Sequence, residues 1–247
     1  MPKKTKNPLD ILKVVDPPNI KHRALNPNLP QPPSLVLMIM PTKTGKSTIA
    51  SNLLLNKNFY GADFFDEYIV ISPTINNDLT SRFLKQSFNT FDYYDDSIIH
   101  DIVKTQGKVE KKDQKSICLF VDDCLGEKTT ALNNLSSRYR HSSIDLFILS
   151  SQLLKKVSPT IRANANWVLC GRLQNQAELD KLSEEYNGMF GGDTNFREYY
   201  AKATKKQYDF MTLKLTENPA EIWKNFTEKL YPLNTKEESE SESESED

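Results

Sequence analysis

Short apolar runs alternate with helix-like segments through the middle of the chain. The runs that we interpret as buried strands are Leu35–Met40, Tyr68–Ser72, Ile117–Val121, Leu146–Ser150, Trp167–Cys170 and Tyr208–Leu215. The helical patterns between and after them are Lys46–Leu55, Asn77–Gln86, Ser97–Thr105, Thr129–Arg138, Gln176–Tyr186 and Thr194–Lys205. Continuous apolar strands that alternate with helices predict an α/β fold, in which helices flank a mostly parallel central sheet.

The two ends of the chain depart from this pattern. Residues 1–33 hold eight of the thirteen prolines and six Lys or Arg against two Asp, which predicts an extended, basic arm. Residues 236–247 hold seven acids and one Lys, which predicts a disordered Ser/Glu tail. Residues 34–235 then form one domain of ordinary size. The net charge of −1 thus hides a basic arm that suits a polyanion such as DNA, although a flexible solubilising segment fits it too.

Cysteine and histidine usage argues against disulfides and zinc. Cys118, Cys124 and Cys170 form no C-x-x-C pair, so we expect reduced thiols. The three histidines have no metal-ligand spacing. No apolar run approaches the ~20 residues that cross a bilayer, and no secretion signal is visible. We therefore expect a soluble, intracellular protein without a membrane span.

A phosphate-binding loop is predicted between the first strand and the first helix. The candidate binding residues are Thr42, Lys43, Thr44, Gly45, Lys46, Ser47 and Thr48. In such a loop, backbone N–H groups and the helix N-terminus cradle phosphate oxygens, which points to ATP or GTP. Lys46 would reach the β- and γ-phosphates, and Ser47 would ligate Mg²⁺. Met40 stands where the loop usually has its first Gly.

Two later strands end in polar residues that fit the same chemistry. Asp122 and Asp123 follow the strand Ile117–Val121, which is the Walker B pattern. Asp122 would hold Mg²⁺ and Asp123 would polarise the attacking water, whereas the alternative is a plain acidic turn. Gln152 follows the strand Leu146–Ser150 and could contact the γ-phosphate or its water, or belong to an ordinary helix cap. Ligands of open α/β sheets bind at these carboxyl ends of strands.

Two arginines near the third motif are candidates for a catalytic role. An arginine supplied by a neighbouring subunit can neutralise the charge that develops during phosphoryl transfer. Arg140 and Arg162 are the preferred candidates, against the alternative that both make surface contacts only.

In this order, the segments resemble the genome-packaging ATPases of large nucleocytoplasmic DNA viruses and virophages, within the FtsK–HerA superfamily of P-loop NTPases. The residues that carry the resemblance are Met40–Thr48, Glu67–Asp78, Cys118–Cys124, Arg140–Gln152 and Ser158–Arg172. The resemblance implies an extra strand between the Walker A and Walker B strands and gives Lys46, Ser47, Asp122, Asp123 and Gln152 the roles stated above.

The same resemblance implies partners and a location. The cofactors would be ATP and Mg²⁺, and identical subunits would form a ring that drives double-stranded DNA into a capsid. DNA contacts would be mostly to phosphate and independent of sequence. A capsid protein is a further candidate partner. The protein would work in the host cytoplasm, in the viral factory, and transiently at or within the virion.

The leading hypothesis is thus an ATP-driven translocase that packages a viral genome. Two other functions stay open on the sequence alone. One is a different P-loop enzyme, such as a helicase or a nucleotide kinase. The other is a nucleotide-binding interaction protein without turnover, in which Met40, and Asp123 at a position where related motors often have Glu, would be signs of decay.

Overall fold

The structure is a computed structural model that describes residues 25–77, 82–125 and 129–232. The predicted acidic tail at residues 236–247 and most of the predicted arm at residues 1–33 lie outside these ranges. The described end of the arm packs on the domain, since Leu29 is buried and Tyr60 donates its hydroxyl proton to the carbonyl of Pro30 (2.5 Å). The limits of the three predicted regions stay a prediction.

One sheet of nine strands forms the centre of the described part of the chain. Its strands are β1 (Ser34–Ile39), β2 (Glu67–Ile71), β3 (Asn89–Phe91), β4 (Ile117–Asp122), β5 (Ile144–Ser151), β6 (Trp167–Cys170), β7 (Met211–Lys214), β8 (Glu221–Lys224) and β9 (Glu228–Tyr231). They lie in the order β3-β2-β4-β5-β1-β6-β7-β8-β9. All pairs from β3 to β6 are parallel, and the remaining three pairs are antiparallel.

This topology confirms the predicted α/β class and the mostly parallel sheet. It also confirms the extra strand, because β5 lies between β1, which leads into the phosphate-binding loop, and β4, which ends in the acid pair. Alternate residues of β1 point to opposite faces: Leu35, Leu37 and Ile39 join one apolar cluster, and Val36 and Met38 join the other. The strand is therefore buried on both sides, as a parallel strand between helical layers should be.

Seven α-helices flank the sheet within the described ranges. They are α1 (Lys46–Leu55), α2 (Arg82–Ser87), α3 (Asp96–Gln106), α4 (Thr130–Ser136), α5 (Pro159–Asn164), α6 (Gln176–Tyr186) and α7 (Asp193–Ala203). None of these helices is long and apolar enough to cross a membrane.

Three predicted helix limits differ from the structure by two residues or more, and one helix was missed. Asn77, the predicted start of the second helix, lies in a turn, and α2 is described from Arg82; the helices predicted to end at Arg138 and Lys205 end at Ser136 and Ala203. The missed helix is α5. It begins with a recognisable cap, in which the Ser158 side chain accepts a hydrogen bond from the N–H of Ile161 and Pro159 takes the first helical position.

The last predicted strand was too long at its start. Residues 206–209 form a turn, in which the N–H of Asp209 donates to the carbonyl of Lys206 (3.2 Å), and β7 begins only at Met211. Tyr208 has a positive φ of 69° in this turn, which is incompatible with a strand. The hairpin of β8 and β9 was not predicted, because its two short strands (EIWK and EKLY) are rich in charged residues.

Candidate active site

The loop after β1 has the backbone that phosphate binding requires. Gly45 has a φ of +95°, a left-handed conformation that glycine adopts without steric cost, and Lys43 has a φ of +65°. The Thr44 hydroxyl donates to the carbonyl of Pro41 (2.7 Å) and closes the loop. Helix α1 follows at once and has no acidic residue in its first turn. Its first N–H groups and its positive dipole end are therefore available to an anion.

Met40, the residue at the usual glycine position, does not enter the loop. Its side chain is fully buried and packs in the apolar cluster that also holds Met38. Gly171, just after β6, leaves space for it: a β-carbon on Gly171 would lie 3.4 Å from Met40 Cγ and 3.1 Å from Thr44 Oγ1. The side chain of Met40 is thus accommodated by the core and does not occupy the predicted phosphate-binding loop.

Lys46 bridges the two acids at the end of β4. Its Nζ lies 2.9 Å from Oδ1 of Asp122 and also contacts Oδ2 of Asp123. The Lys46 side chain is only 13% exposed. Burial disfavours the charged ammonium, but the two carboxylates outweigh burial and raise the pKa of Lys46 above its ordinary value. Lys46 is therefore a firmly protonated cation at neutral pH, held at the carboxyl edge of the sheet.

The carboxylate of Asp122 is fixed by hydroxyl groups from both neighbouring strands. Ser72, directly after β2, donates to Oδ2 (2.9 Å), and Ser150 of β5 donates to Oδ1. Asp122 and Ser150 are register partners, so the sheet itself sets this contact. Asp122 thus offers an oriented carboxylate, and Ser47, the residue after Lys46, offers a hydroxyl; oxygen ligands of this kind suit Mg²⁺.

Magnesium in such sites needs few protein ligands. The described residues contain no group of three or more His, Cys, Asp or Glu that could hold a metal by itself. That finding agrees with the donor set, because Mg²⁺ is usually held by one or two carboxylates together with substrate phosphates and water. The residues present therefore fit Mg²⁺ bound together with a nucleotide.

Asp123 and Gln152 lie next to each other beyond the ends of β4 and β5. Gln152 Nε2 donates to Oδ2 of Asp123 (3.1 Å), and the hydroxyl of Thr42 donates to Oε1 of Gln152 (3.4 Å). Asp123 has a positive φ of 50°, a conformation that Asp tolerates better than most residues, and its N–H donates to the carbonyl of Ser150 (3.2 Å). The chain Thr42–Gln152–Asp123–Lys46 therefore connects the three predicted motifs.

A small cavity of about 100 Å³ borders this chain of hydrogen bonds. Asp123, Gln152 and Lys156 are among the residues that line it. A polar cavity of this size has room for water and supplies several hydrogen-bonding partners. Lys156 was not predicted as a site residue, because the sequence around it carries no motif.

Arg140 and Arg162 do not join this cluster within the chain. Arg140 comes just before β5 and Arg162 lies in α5, before β6, so both are at the amino edge of the sheet. The eight residues of β5 separate that edge from the Asp122 edge by about 25 Å. The two arginines line a separate cavity of about 470 Å³. Any contact with a nucleotide would have to be made to another subunit.

The two arginines also differ from each other. Arg162 is 91% buried, its Nε lies 2.9 Å from a carboxylate oxygen of Glu185, and Nη1 donates to the carbonyl of Val157 (2.9 Å). Arg140 is exposed. Arg162 is therefore held by contacts within the domain, whereas the side chain of Arg140 lies on the surface.

Sequence reasoning missed several residues that shape the site. Ser72 and Ser150 orient Asp122, Gly171 makes room behind the loop, and Tyr208 lies against Gly45. Cys124 was read only as a reduced thiol, which fits its surroundings: burial first, and the neighbouring Asp122 and Asp123 second, raise its pKa to about 12. Its Sγ–H contacts the carbonyl of Asp122 (3.1 Å).

Solved structures with the same fold include two viral proteins. The genome-packaging NTPase B204 of Sulfolobus turreted icosahedral virus 2, in complex with AMP, gives a TM-score of 0.58 at 18% identity over 76% of this chain and 96% of that chain. B204 of Sulfolobus turreted icosahedral virus, described as a DNA-packaging ATPase, gives 0.58 at 17% identity over 78% and 97%. B204 of Sulfolobus turreted icosahedral virus 2 has also been solved with ATP-γS, and that structure gives a TM-score of 0.55.

Related sequences occur in large DNA viruses. The uncharacterised protein L437 of Acanthamoeba polyphaga mimivirus is 26% identical over 191 residues, which is 70% of this chain and 64% of that protein. The uncharacterised protein 075L of Invertebrate iridescent virus 6 is 26% identical over 177 residues, 69% of this chain and 67% of that protein. The chain thus spans about two thirds of these relatives' length. No protein-family model matches the sequence.

These comparisons agree with the geometry of the site. The sheet order places the loop after β1 and the acid pair at the end of β4 at one edge, as the shared fold with the viral NTPases leads one to expect. The resemblance expected from the sequence is confirmed at the level of the fold. The chain has the P-loop NTPase fold of the viral genome-packaging NTPase B204, and it is similar in sequence to proteins of large DNA viruses.

Proposed function

We propose that this protein hydrolyses ATP and uses the energy to move double-stranded DNA into a viral capsid. The observation that carries the proposal is the contact of Lys46 with both Asp122 and Asp123 at the edge where the phosphate-binding loop opens. A fold shared with a packaging NTPase that has been solved with AMP and with ATP-γS supports it.

The phosphates would lie in the loop from Thr42 to Thr48, against the N–H groups at the start of α1. Lys46 would exchange its carboxylate contacts for the β- and γ-phosphate oxygens. Mg²⁺ would be held by Asp122 and Ser47, and it would neutralise charge on the phosphates. The fixed hydroxyl contacts of Ser72 and Ser150 keep Asp122 oriented for this role.

Asp123 and Gln152 would act on the attacking water. They border the cavity of about 100 Å³, and their mutual hydrogen bond of 3.1 Å places a carboxylate acceptor beside an amide. A carboxylate can accept the proton of water, while an amide fixes the orientation of that water. Because Thr42 of the phosphate-binding loop contacts Gln152, loss of the γ-phosphate would be communicated from the loop to β5.

The motor function rests on assembly into a ring. Arg140 is the better candidate for an arginine that acts on the nucleotide of the next subunit, because it is exposed at the opposite edge of the sheet. The basic arm and the loops would contact DNA phosphates without reading the sequence. A capsid protein would be the docking partner, and the work would take place in the host cytoplasm.

Triplex displacement tests translocation. A duplex that carries a fluorescent third strand is incubated with the protein, ATP and Mg²⁺, beside the variant Asp123→Asn. A motor that tracks along the duplex strips the third strand only with ATP and only in the natural protein. A forked duplex in the same assay separates the alternatives, since a helicase would unwind the fork and a packaging motor would leave it paired. Absence of displacement with active hydrolysis would refute translocation by this chain.

A further inference from the structure

A second, larger cavity opens beside the phosphate-binding loop. Its volume is about 650 Å³, within the range of about 300–1,000 Å³ that is usual for small-molecule sites. Its walls come from the loop itself, from the segment after β6 and from the turn before β7, and include Lys43, Thr44, Arg172, Gln174, Lys206 and Tyr208. The wall residues outside the loop, such as Arg172 and Tyr208, have no role in the binding of Mg²⁺, water or the γ-phosphate proposed above.

Tyr208 is the unusual member of this cavity. It is the third residue of the turn from Lys206 to Asp209, and its φ of +69° is one that this position normally reserves for Gly. A bulky residue in that conformation is strained, and such strain clusters at functional sites. The side chain is nevertheless 60% exposed, so burial of its ring does not offset the strain.

The turn is held firmly by the hairpin that follows. Asp209 accepts a hydrogen bond from Asn225 Nδ2 (3.2 Å), and its Oδ2 lies 3.3 Å from Nζ of Lys224. The N–H of Phe210 donates to Oδ1 of Asn225 (3.0 Å). Contacts from the hairpin of β8 and β9 therefore hold the strained turn that carries the exposed ring of Tyr208.

The ring of Tyr208 lies directly against the phosphate-binding loop. A β-carbon on Gly45 would lie only 3.4 Å from Cδ1 of Tyr208. Gly45 is the residue before α1, where the N–H groups converge on phosphate. The ring and Arg172 therefore line a cavity that adjoins the loop in which the phosphates of the proposed nucleotide would lie.

We infer that the cavity binds the base and ribose of a nucleoside triphosphate, with the base stacked on Tyr208, an inference that rests on the proposed function. An aromatic ring accepts any base through its π-face, and removal of such a ring weakens binding by about 5- to 150-fold. Arg172 supplies a cation for the ribose and the α-phosphate. The cavity thus distinguishes a nucleotide from a bare polyphosphate.

The test compares ATP with inorganic tripolyphosphate, both with Mg²⁺, by isothermal titration calorimetry. The variants are Tyr208→Gly, which the turn accommodates, Tyr208→Phe, which keeps the ring, and Tyr93→Ala as a control, since Tyr93 is 58% exposed at the other end of the sheet. We expect Tyr208→Gly to bind ATP about tenfold more weakly and tripolyphosphate unchanged. Tyr208→Phe and Tyr93→Ala should match the natural protein.

Two results would overturn the inference. If Tyr208→Gly binds ATP as well as the natural protein does, or loses ATP and tripolyphosphate equally, the ring does not hold the base, while the proposed ATPase site stands. If the natural protein binds neither ligand, both the inference and the proposed function fail.

Discussion

The Nζ of Lys46 lies 2.9 Å from Oδ1 of Asp122, although the strands that lead to these residues are not neighbours. β5 lies between β1 and β4, so these two strands are about 10 Å apart, and the loop after β1 together with the Lys46 side chain crosses β5 to reach the carboxylate. Lys46 thus connects the phosphate-binding loop to the acid pair. Asp123 in turn contacts Gln152, so the three motifs form one connected site.

Asp123→Asn should separate binding from hydrolysis. The substitution keeps the shape of the side chain but removes the acceptor for a proton of water, so turnover should fall by about 100-fold or more while ATP binding persists. Steady-state hydrolysis and calorimetric binding measure the two effects, with Asp101→Asn, an exposed acid of α3, as the control. Turnover above half the natural rate in Asp123→Asn would exclude a role for this carboxylate.

Arg140→Ala should abolish hydrolysis in assemblies without loss of stability, because its side chain is exposed and would act on a neighbouring subunit. Mixing Arg140→Ala with Lys46→Ala tests this directly: a mixed ring contains interfaces with one intact site and one intact arginine, so activity should reappear. If the mixture is as inactive as each variant alone, Arg140 does not act in trans.

Arg162→Ala should behave differently, because it leaves Glu185 without its partner. Loss of one member of a largely buried ion pair costs about 3 kcal/mol. Chemical denaturation should therefore show a lower free energy of unfolding for Arg162→Ala and an unchanged one for Arg140→Ala. Equal stability of both variants would mean that the ion pair with Glu185 contributes little.

Gly171→Ala should weaken nucleotide binding through the loop. The added methyl group would lie 3.1 Å from Thr44 Oγ1 and 3.4 Å from Met40 Cγ, so the loop must shift by a few tenths of an ångström. We expect about tenfold weaker ATP binding, which corresponds to about 1.4 kcal/mol. Unchanged ATP affinity in Gly171→Ala would show that this contact is not tight in solution.

The ion pair of Lys46 should contribute to stability over a defined pH range. Its folded-state pKa is raised, so the contribution is fully present below the unfolded-state pKa of about 10.4 and is lost as pH rises through the folded-state value. The difference in unfolding free energy between the natural protein and Lys46→Met should be constant from pH 7 to 9 and should shrink above pH 10. A difference that grows with pH would contradict the assignment of the raised pKa.

The motif-bearing half of the fold was predictable because buried parallel strands are continuous apolar runs. The strand Trp167–Cys170 and the helices Lys46–Leu55 and Gln176–Tyr186 have the bounds expected from the sequence. The antiparallel end was not predictable in this way, since β8 and β9 are short and carry charges that are satisfied across the hairpin. The ion pair of Lys229 with Glu221 (2.6 Å) is one example.

Among the residues of the candidate site, too, some could be predicted from the sequence and others could not. Lys46, Asp122, Asp123 and Gln152 carry motifs and were predicted from the sequence, and the structure brings them together. Ser72 and Gly171 contribute to the site because β2 lies next to β4 and β6 lies next to β1. The periodicity of the sequence does not give this order of strands. Tyr208 was placed in a strand because the run Tyr208–Leu215 is mostly aromatic or apolar, whereas contacts from the hairpin of β8 and β9 hold it in a turn.

The most direct test of the central claim is steady-state ATP hydrolysis with Mg²⁺, with and without long double-stranded DNA, for the natural protein and Lys46→Ala. The account predicts turnover that rises with DNA and disappears in Lys46→Ala, because the lysine is the cation that contacts both the loop and the acid pair. Tight ATP binding without turnover, in the presence and absence of DNA, would contradict it and would support a nucleotide-binding protein without catalysis.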